Sequence, residues 1–359
     1  MISLLKKTAA VAVLAVSSTM MVSTVAMADT RLTGAGATFP NPIYQKWVAD
    51  YGKSHPDVKI DYQSMGSGGG IKGITEKTID FAGSDAPMTK KELAAAGGEV
   101  VHIPTVAGAV VAAYNLPDFQ GELKLDGATL AEIYLGKITK WNDPKIAALN
   151  EGAQLPGLGI TPVSRTDGSG TTFVFTNYLA TQSQDFKNTV GMGKQVTWPA
   201  KNGQGGNKND GVTAAVKSTP GAIGYIELNY ATQSKTPFAL LKNKDGKFIK
   251  ATPETVSAAG AGALDKMGKL LAVDIWNQSG AEAYPISAFT YLIVYKDLGY
   301  LKDQGKAKAL VDFLKWATTE GQASAKELDY APLADGVKKK VAETIEGLTW
   351  SGSPVAAAK

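Results

Sequence analysis

Short apolar segments alternate with longer amphipathic stretches along most of this 359-residue chain. The apolar segments are rich in Val, Ile, Tyr and Phe and predict strands, whereas the longer stretches predict helices. This alternation is typical of an α/β protein. The predicted strands are Val58–Tyr62, Asp80–Ala82, Gly108–Asn115, Ile160–Arg165, Ala222–Glu227 and Phe289–Lys296. The predicted helices are Pro42–Tyr51, Ile71–Thr78, Thr129–Leu135, Thr171–Leu179 and Ala307–Ala317.

Two of these segments predict fully buried strands. They are Gly108–Ala113 and Phe289–Val294, and we expect the chain to cross there between two lobes, once out and once back. A chain of this length also favours about two domains. We therefore place the first lobe at residues 29–110 and 285–359, and the second lobe at residues 111–284. The Gly- and Asn-rich segment Asn202–Gly211 predicts a flexible surface loop, although Asp210-Gly211 could equally open a helix.

The first 28 residues predict a secretory signal peptide. Lys6 and Lys7 precede an apolar stretch of small residues, and Ala26-Met27-Ala28 supplies the small residues of a cleavage site. We expect a soluble, exported protein of the periplasm that is not inserted in the membrane. The chain has no cysteine, which excludes disulfides, thiolate metal sites and a lipidated N-terminal Cys. Two histidines and a net charge of +4 argue against a His-rich metal site and a nucleic-acid partner.

Three short turns combine glycines with hydroxyl side chains just ahead of helices. The turns are Gly34–Pro40, Gly66–Gly70 and Arg165–Thr172. The first turn of a helix has backbone N–H groups without partners and carries a partial positive charge. Glycines allow a ligand to approach this backbone closely, and hydroxyls add further donors. One such turn alone is usually an ordinary helix cap, but three together predict a shared anion site.

Charged residues at the ends of two predicted strands also support an anion site. Arg165 ends a predicted strand, where its guanidinium could bind an oxyanion bidentately and Asp167 could hold it in place. Asp85 follows another strand, and a carboxylate near an anion site suits a ligand that carries a proton. From local sequence alone, Arg165 and Asp167 could instead form a surface ion pair, and Asp85 could be a cap or turn residue.

Nucleotide and catalytic motifs are missing from the sequence. There is no G-x-x-x-x-G-K-[ST] motif, and Gly66–Gly70 lacks the spacing of a dinucleotide fingerprint. A nucleophilic Ser67 or Ser169 would need a nearby base, yet His55 and His102 lie in segments without a triad pattern. No intact G-x-S-x-G is present. We therefore expect a binding protein and no enzyme, with a secreted phosphatase as a lesser alternative.

Through nearly the whole chain after residue 28, the sequence resembles the periplasmic phosphate-binding proteins of ABC-type phosphate uptake. The segments that carry the resemblance are Leu32–Pro40, Asp80–Met88, Ile133–Ile138 with Trp141–Asp143, Asp167–Phe175, Pro220–Glu227 and Leu328–Ala331. The resemblance implies two α/β lobes joined by crossing hinge segments, with the ligand in the cleft between them. It implies that phosphate contacts Ala37, Thr38, Phe39, Ser67, Asp85, Arg165, Ser169, Gly170 and Thr171, and that Asp167 orients Arg165.

The expected mechanism is recognition of the proton that phosphate carries at neutral pH. An ionised Asp85 can accept a hydrogen bond from a protonated oxygen, whereas it repels an ion such as sulfate that lacks one. Binding of another oxyanion (arsenate, sulfate or molybdate) is the alternative within the same class. We expect the partner to be the membrane permease of the importer, the protein to be a monomer, and the site to need no metal or cofactor.

Overall fold

The computed structural model describes residues 29–355, so the predicted signal peptide at residues 1–28 lies outside the described residues. The strands are β1 Thr30–Gly36, β2 Val58–Ser64, β3 Phe81–Ser84, β4 Val100–Tyr114, β5 Lys124–Leu125, β6 Thr161–Arg165, β7 Gln204–Gly206, β8 Ala222–Glu227, β9 Leu240–Lys242, β10 Phe248–Ile249, β11 Ser287–Tyr295, β12 Thr349–Trp350 and β13 Ser353–Pro354. The helices are α1 Asn41–Ser54, α2 Ser67–Thr75, α3 Lys90–Ala96, α4 Gly127–Tyr134, α5 Pro144–Leu149, α6 Gly170–Gln182, α7 Gln184–Thr189, α8 Lys208–Ser218, α9 Leu228–Ser234, α10 Pro253–Ala259, α11 Ala263–Lys266, α12 Gln304–Thr318 and α13 Asp335–Glu346.

One long strand holds the two parts of the molecule together. The main sheet has the strand order β2-β1-β3-β11-β4-β8-β6-β7. Strand β4 is 15 residues long and buried throughout; its segment up to Ala109 pairs with β11, and its segment from Val110 pairs with β8. We call the part built on β1, β2, β3 and β11 the first lobe, and the part built on β6, β7 and β8 the second lobe. The fold is a two-lobed α/β architecture, as predicted.

The second apolar run, Phe289–Val294, is a buried strand that lies within the first lobe. Strand β11 pairs along its whole length with β4 and also contacts β3. The chain therefore returns to the first lobe before Ser287. Strand β4 is the element that continues directly from one lobe to the other.

Two segments differ from the sequence-based expectation. Strand β1 was not predicted, because its glycines have a low strand propensity. It lies between β2 and β3, and the Phe81 ring occupies the space that a side chain at Gly34 would need. The expectation of a flexible loop at Asn202–Gly211 was wrong, because this segment contains β7 and the start of α8 at Lys208. Pairing of β7 with β6 and packing of α8 on the sheet order it.

The sheet directions bring the three glycine turns toward one place. Strands β1, β2 and β3 are parallel to one another, and β6 is parallel to β7 and β8. The three turns follow the carboxyl ends of β1, β2 and β6, and Asp85 follows the end of β3. Ligands of open α/β sheets bind at such carboxyl ends. Within the described range, no helix is long and apolar enough to span a bilayer.

Candidate functional site

The turn between β1 and α1 presents backbone N–H groups. Tyrosine hydroxyls from both lobes hold its carbonyl groups: Tyr62 donates to Ala37 O at 2.8 Å, Tyr230 to Thr38 O at 2.6 Å and Tyr330 to Phe39 O at 2.6 Å. The N–H of Ala37 donates to Gly83 O, so it is already used. The N–H groups of Thr38 and Phe39 have no acceptor within residues 29–355. These two groups are therefore free to bind an anion.

Asp85 is a buried carboxylate surrounded by hydroxyl groups. It is 3% exposed, and its Oδ1 accepts a hydrogen bond from Thr290 Oγ1 at 2.8 Å. Its backbone N–H donates to Ser67 Oγ at 3.2 Å. Burial raises the pKa of Asp85 to about 7, although Thr290, Ser67 and the charge of Arg165 act in the opposite direction. A carboxyl group with this pKa can gain or lose its proton near neutral pH.

The turn between β6 and α6 is a capped helix start. Ser169 Oγ accepts the N–H of Thr172 at 3.0 Å, and the N–H of Ser169 donates to Lys194 O at 2.9 Å. Ser169 is therefore the N-cap residue of α6, as expected if this turn is an ordinary helix cap. The N–H groups of Gly170 and Thr171 have no acceptor in the described part of the chain. The 13-residue helix α6 thus directs free donors and its positive dipole end toward the cleft.

Gly170 is one of the positions where the two lobes approach closely around the candidate site. A side chain at Gly170 would collide with Asp85 Oδ2 and Ser67 Oγ, both of which belong to the first lobe. The absence of a Cβ atom therefore allows the α6 terminus to meet Ser67 and Asp85 directly. The second and third glycine turns also touch, since Gly68 N donates to Gly168 O at 2.8 Å.

Arg165 is buried and held in one orientation by Asp167. Its Nε donates to Asp167 Oδ1 at 2.8 Å, and its Nη2 pairs with Asp167 Oδ2. Its Nη1 lies 3.3 Å from Thr171 Oγ1. Burial alone would raise the pKa of Asp167, but the hydrogen bonds and charge of Arg165 lower it below its usual value. Asp167 therefore stays ionised and positions the guanidinium.

Sequence reasoning missed three buried polar residues around this site: Thr290, Asn209 and Glu227. Thr290 is a polar residue in the middle of a mainly apolar buried strand, and that position is a signal that could have been used. Asn209 lies in the segment that was expected to be a flexible loop, and no sequence feature distinguishes it from its neighbours. Glu227 ends β8 opposite Val110, at the point where β4 passes between the lobes.

Glu227 contributes a buried carboxyl group whose polar neighbours are uncharged groups. Its Oε2 accepts the N–H of Asn229 at 3.0 Å and lies 3.2 Å from the Tyr330 hydroxyl, whose proton is donated to Phe39 O at the shorter distance. Its Oε1 is buried and has no hydrogen-bond partner among residues 29–355. Burial raises the pKa of Glu227 well above its usual value. Burial therefore favours the neutral form of the Glu227 carboxyl group.

The contacts between the lobes describe a closed arrangement. Besides the contact between Gly68 and Gly168, Lys194 Nζ of the second lobe lies 2.7 Å from Glu92 Oε1 of the first lobe. Asn209 Nδ2 of the second lobe donates to Thr38 Oγ1 of the first lobe at 2.8 Å. The structure thus brings the predicted residues of the two lobes to one enclosed region. Among residues 29–355, no cluster of His, Asp and Glu has the arrangement of a metal site.

A cleft between two α/β lobes, lined by backbone donors and hydroxyls, defines the class of solute-binding proteins. A family model described as a PBP superfamily domain matches residues 22–320. The chain is 45% identical over 311 residues to the phosphate-binding protein PstS of Pasteurella multocida, covering 86% of this chain and 88% of the relative. It is 44% identical over 305 residues to PstS of Haemophilus influenzae, covering 84% and 88%. The chain belongs to this family of phosphate-binding proteins.

A solved structure supports the fold independently. The phosphate-bound structure of a high affinity periplasmic phosphate-binding protein, PfluDING, superposes with a TM-score of 0.68. The match covers 87% of this chain and 92% of that protein at 20% sequence identity. At this identity the similarity establishes the shared two-lobed fold.

Proposed function

We propose that this protein binds inorganic phosphate between its lobes and delivers it to the membrane permease of an ABC-type importer. The names of its relatives support the ligand, and the free donors at the carboxyl ends of β1 and β6 support an anion site. No chemical change of the ligand is required. Binding and release of an intact ion need no nucleophile–base pair.

One observation carries the proposal: Asp85 is a buried carboxylate among groups that otherwise donate hydrogen bonds. A fully deprotonated tetrahedral ion would place its own acceptor oxygen against the carboxylate, without a proton between them. Such an unmatched pair of buried acceptors costs several kcal/mol. Phosphate avoids this cost because it retains a proton at neutral pH. The site therefore favours phosphate over sulfate.

The proposed contacts come from both lobes. From the first lobe we assign Thr38, Phe39, Ser67 and Asp85, with Ala37 adjoining them, and from the second lobe Arg165, Ser169, Gly170 and Thr171, with Asp167 orienting Arg165. We place the lobes at residues 29–110 with 285–359, and at residues 111–284. Closure of the lobes would change the surface that faces the permease, so that loaded and empty protein can be distinguished.

We further propose that the protein acts as a monomer in the periplasm after removal of residues 1–28. The order of charged, apolar and small residues in that segment supports export. Mass spectrometry of the protein from the periplasmic fraction should identify Asp29 as the first residue. Light scattering of the same sample should return the mass of a single chain.

Isothermal titration of the purified protein with phosphate, and separately with sulfate, tests the proposed ligand. We expect one phosphate per chain and no heat from sulfate at pH 8. Equal binding of both ions would contradict the proposed role of Asp85. Titration with arsenate measures selectivity against an ion that also carries a proton. Incubation with a chromogenic phosphate ester should release no product, and steady release would favour the phosphatase alternative.

A further inference from the structure

Asn209 is a fully buried residue that lies between the two lobes, at the start of α8. The preceding residue, Lys208, has a left-handed backbone with a φ of 63°, and its N–H donates to Asp167 Oδ1 at 2.9 Å. The start of α8 is thereby attached to the Arg165–Asp167 pair. This attachment places the Asn209 side chain beside the candidate anion site.

The Asn209 side chain makes three contacts that determine its orientation. Its Oδ1 accepts the backbone N–H of Glu227 at 3.0 Å. Its Nδ2 must therefore be the end that faces Thr38 Oγ1 at 2.8 Å and Thr171 Oγ1 at 3.4 Å. A backbone N–H can only donate, so the amide cannot be reversed without facing donor against donor.

This orientation controls the direction of two hydroxyl protons. A hydroxyl has two acceptor lone pairs and one proton. Thr171 Oγ1 accepts from both Asn209 Nδ2 and Arg165 Nη1, so both of its lone pairs are used. Thr38 Oγ1 likewise accepts from Asn209. Neither hydroxyl donates to an acceptor within residues 29–355, in contrast to Thr176, which donates to a carbonyl of its own helix.

We propose that Asn209 is a positioning residue that makes the hydroxyls of Thr38 and Thr171 hydrogen-bond donors to the bound oxyanion. Thr38 belongs to the first lobe, whereas Asn209 and Thr171 belong to the second. Closure of the lobes therefore completes the donor arrangement, and Asp85 remains the acceptor that matches the ligand's proton. This inference rests on the proposed binding of phosphate and adds a residue that does not itself touch the ligand.

A double-mutant cycle on phosphate affinity tests whether Asn209 acts through Thr38. We expect Asn209→Ala to weaken phosphate binding by about 10- to 100-fold, because the hydroxyls lose the donor that orients them. In a Thr38→Val background, Asn209→Ala should weaken phosphate binding by a clearly smaller factor, because one of the two hydroxyls that Asn209 orients is already absent. Isothermal titration supplies the dissociation constants.

The matched control is Thr213→Val, which removes another buried hydroxyl of α8 that donates to the backbone carbonyl of Asn209 at 2.8 Å. It should lower the melting temperature without changing phosphate affinity more than about 3-fold. If Asn209→Ala is poorly folded by circular dichroism, Asn209→Leu, of similar shape, enters the same cycle.

The outcomes separate the two proposals. If the wild-type protein does not bind phosphate, the proposed function fails before Asn209 is considered. If the wild-type protein binds phosphate, three results overturn the role of Asn209. These are an unchanged affinity in the folded variant, equal fold-losses with and without Thr38→Val, and failure of both Asn209 variants to fold, which would make the residue purely structural.

Discussion

Asp85 and Asp167 are two aspartates of the candidate site, the first buried and the second partly buried, and their surroundings give them opposite properties. Asp85 is surrounded by hydroxyls, and burial raises its pKa to about 7. Asp167 faces the Arg165 guanidinium, and its pKa is lowered despite burial. The comparison shows that the partner decides the role of a buried carboxylate. A paired carboxylate orients its partner, whereas one held by neutral groups can respond to a proton.

The largest expected effect comes from replacing Asp85, the carboxylate that we propose accepts the ligand's proton in a hydrogen bond. Asp85→Asn should reduce discrimination between phosphate and sulfate by a factor on the order of 10³, because the amide can donate where the carboxylate could only accept. Competition titrations with sulfate against phosphate measure this ratio. Unchanged exclusion of sulfate in the variant would remove Asp85 from the specificity mechanism.

The same substitution should also change stability in a pH-dependent way. Because the pKa of Asp85 is raised in the folded state to about 7, this group's contribution to stability is lost as the pH rises from the unfolded pKa of about 4 to the folded pKa, and the loss is complete above it. Without phosphate, Asp85→Asn should therefore be more stable than wild type at pH 8 by about 2–4 kcal/mol, and the difference should disappear near pH 4. Denaturant unfolding at both pH values provides the measurement. A difference that does not vary with pH would contradict the raised pKa.

The paired aspartate should show the opposite dependence. Asp167→Asn should weaken phosphate binding by about 10- to 30-fold, because Arg165 loses the carboxylate that orients it. Its lowered pKa means that ionised Asp167 stabilises the fold above the unfolded pKa, and that this stabilisation is lost as the pH falls through the folded value. The variant should therefore be less stable at pH 7 by about 1–2 kcal/mol and approach wild type in acid.

Asp118→Asn, at an exposed position without a hydrogen-bonded partner among the described residues, is the control for this loss of charge. It should leave both phosphate affinity and stability unchanged. If Asp167→Asn behaves like Asp118→Asn, the Arg165–Asp167 pair does not position the guanidinium.

The smallest expected effect concerns the ion pair that joins the lobes away from the two aspartates. Lys194→Ala should weaken phosphate binding by about 2- to 5-fold, since a partly exposed ion pair contributes at most about 1 kcal/mol. Glu92→Gln should have a similar effect, and the double variant should bind phosphate only slightly more weakly than either single variant. The effect should shrink at high salt. A loss of affinity that does not depend on salt would contradict the ionic role of Lys194.

Local chemistry made much of the fold predictable, and it also indicated the residues of the candidate site. The strand Ala222–Glu227 was predicted with the bounds that the structure has, since its apolar residues are continuous and a glycine turn precedes it. The turn Arg165–Thr172 was recognisable because a capping serine, glycines and the end of a strand occur together. Strand β1 was not predicted from the sequence. Its glycines fit in a strand because the Phe81 ring and the neighbouring strands surround them, and this packing is a property of the tertiary structure.

The sequence by itself determined the residue types that an anion site needs: glycines and hydroxyls at helix starts, one arginine with a nearby aspartate, and one further aspartate. Only the tertiary structure decided which of these meet, and how their protons are directed. Asn209 reaches Thr38 across 171 positions of the chain, and Thr290 reaches Asp85 across 205. Contacts between such distant segments depend on sheet order and lobe closure, because hydrogen bonds form only when folding brings their donors and acceptors within about 3 Å.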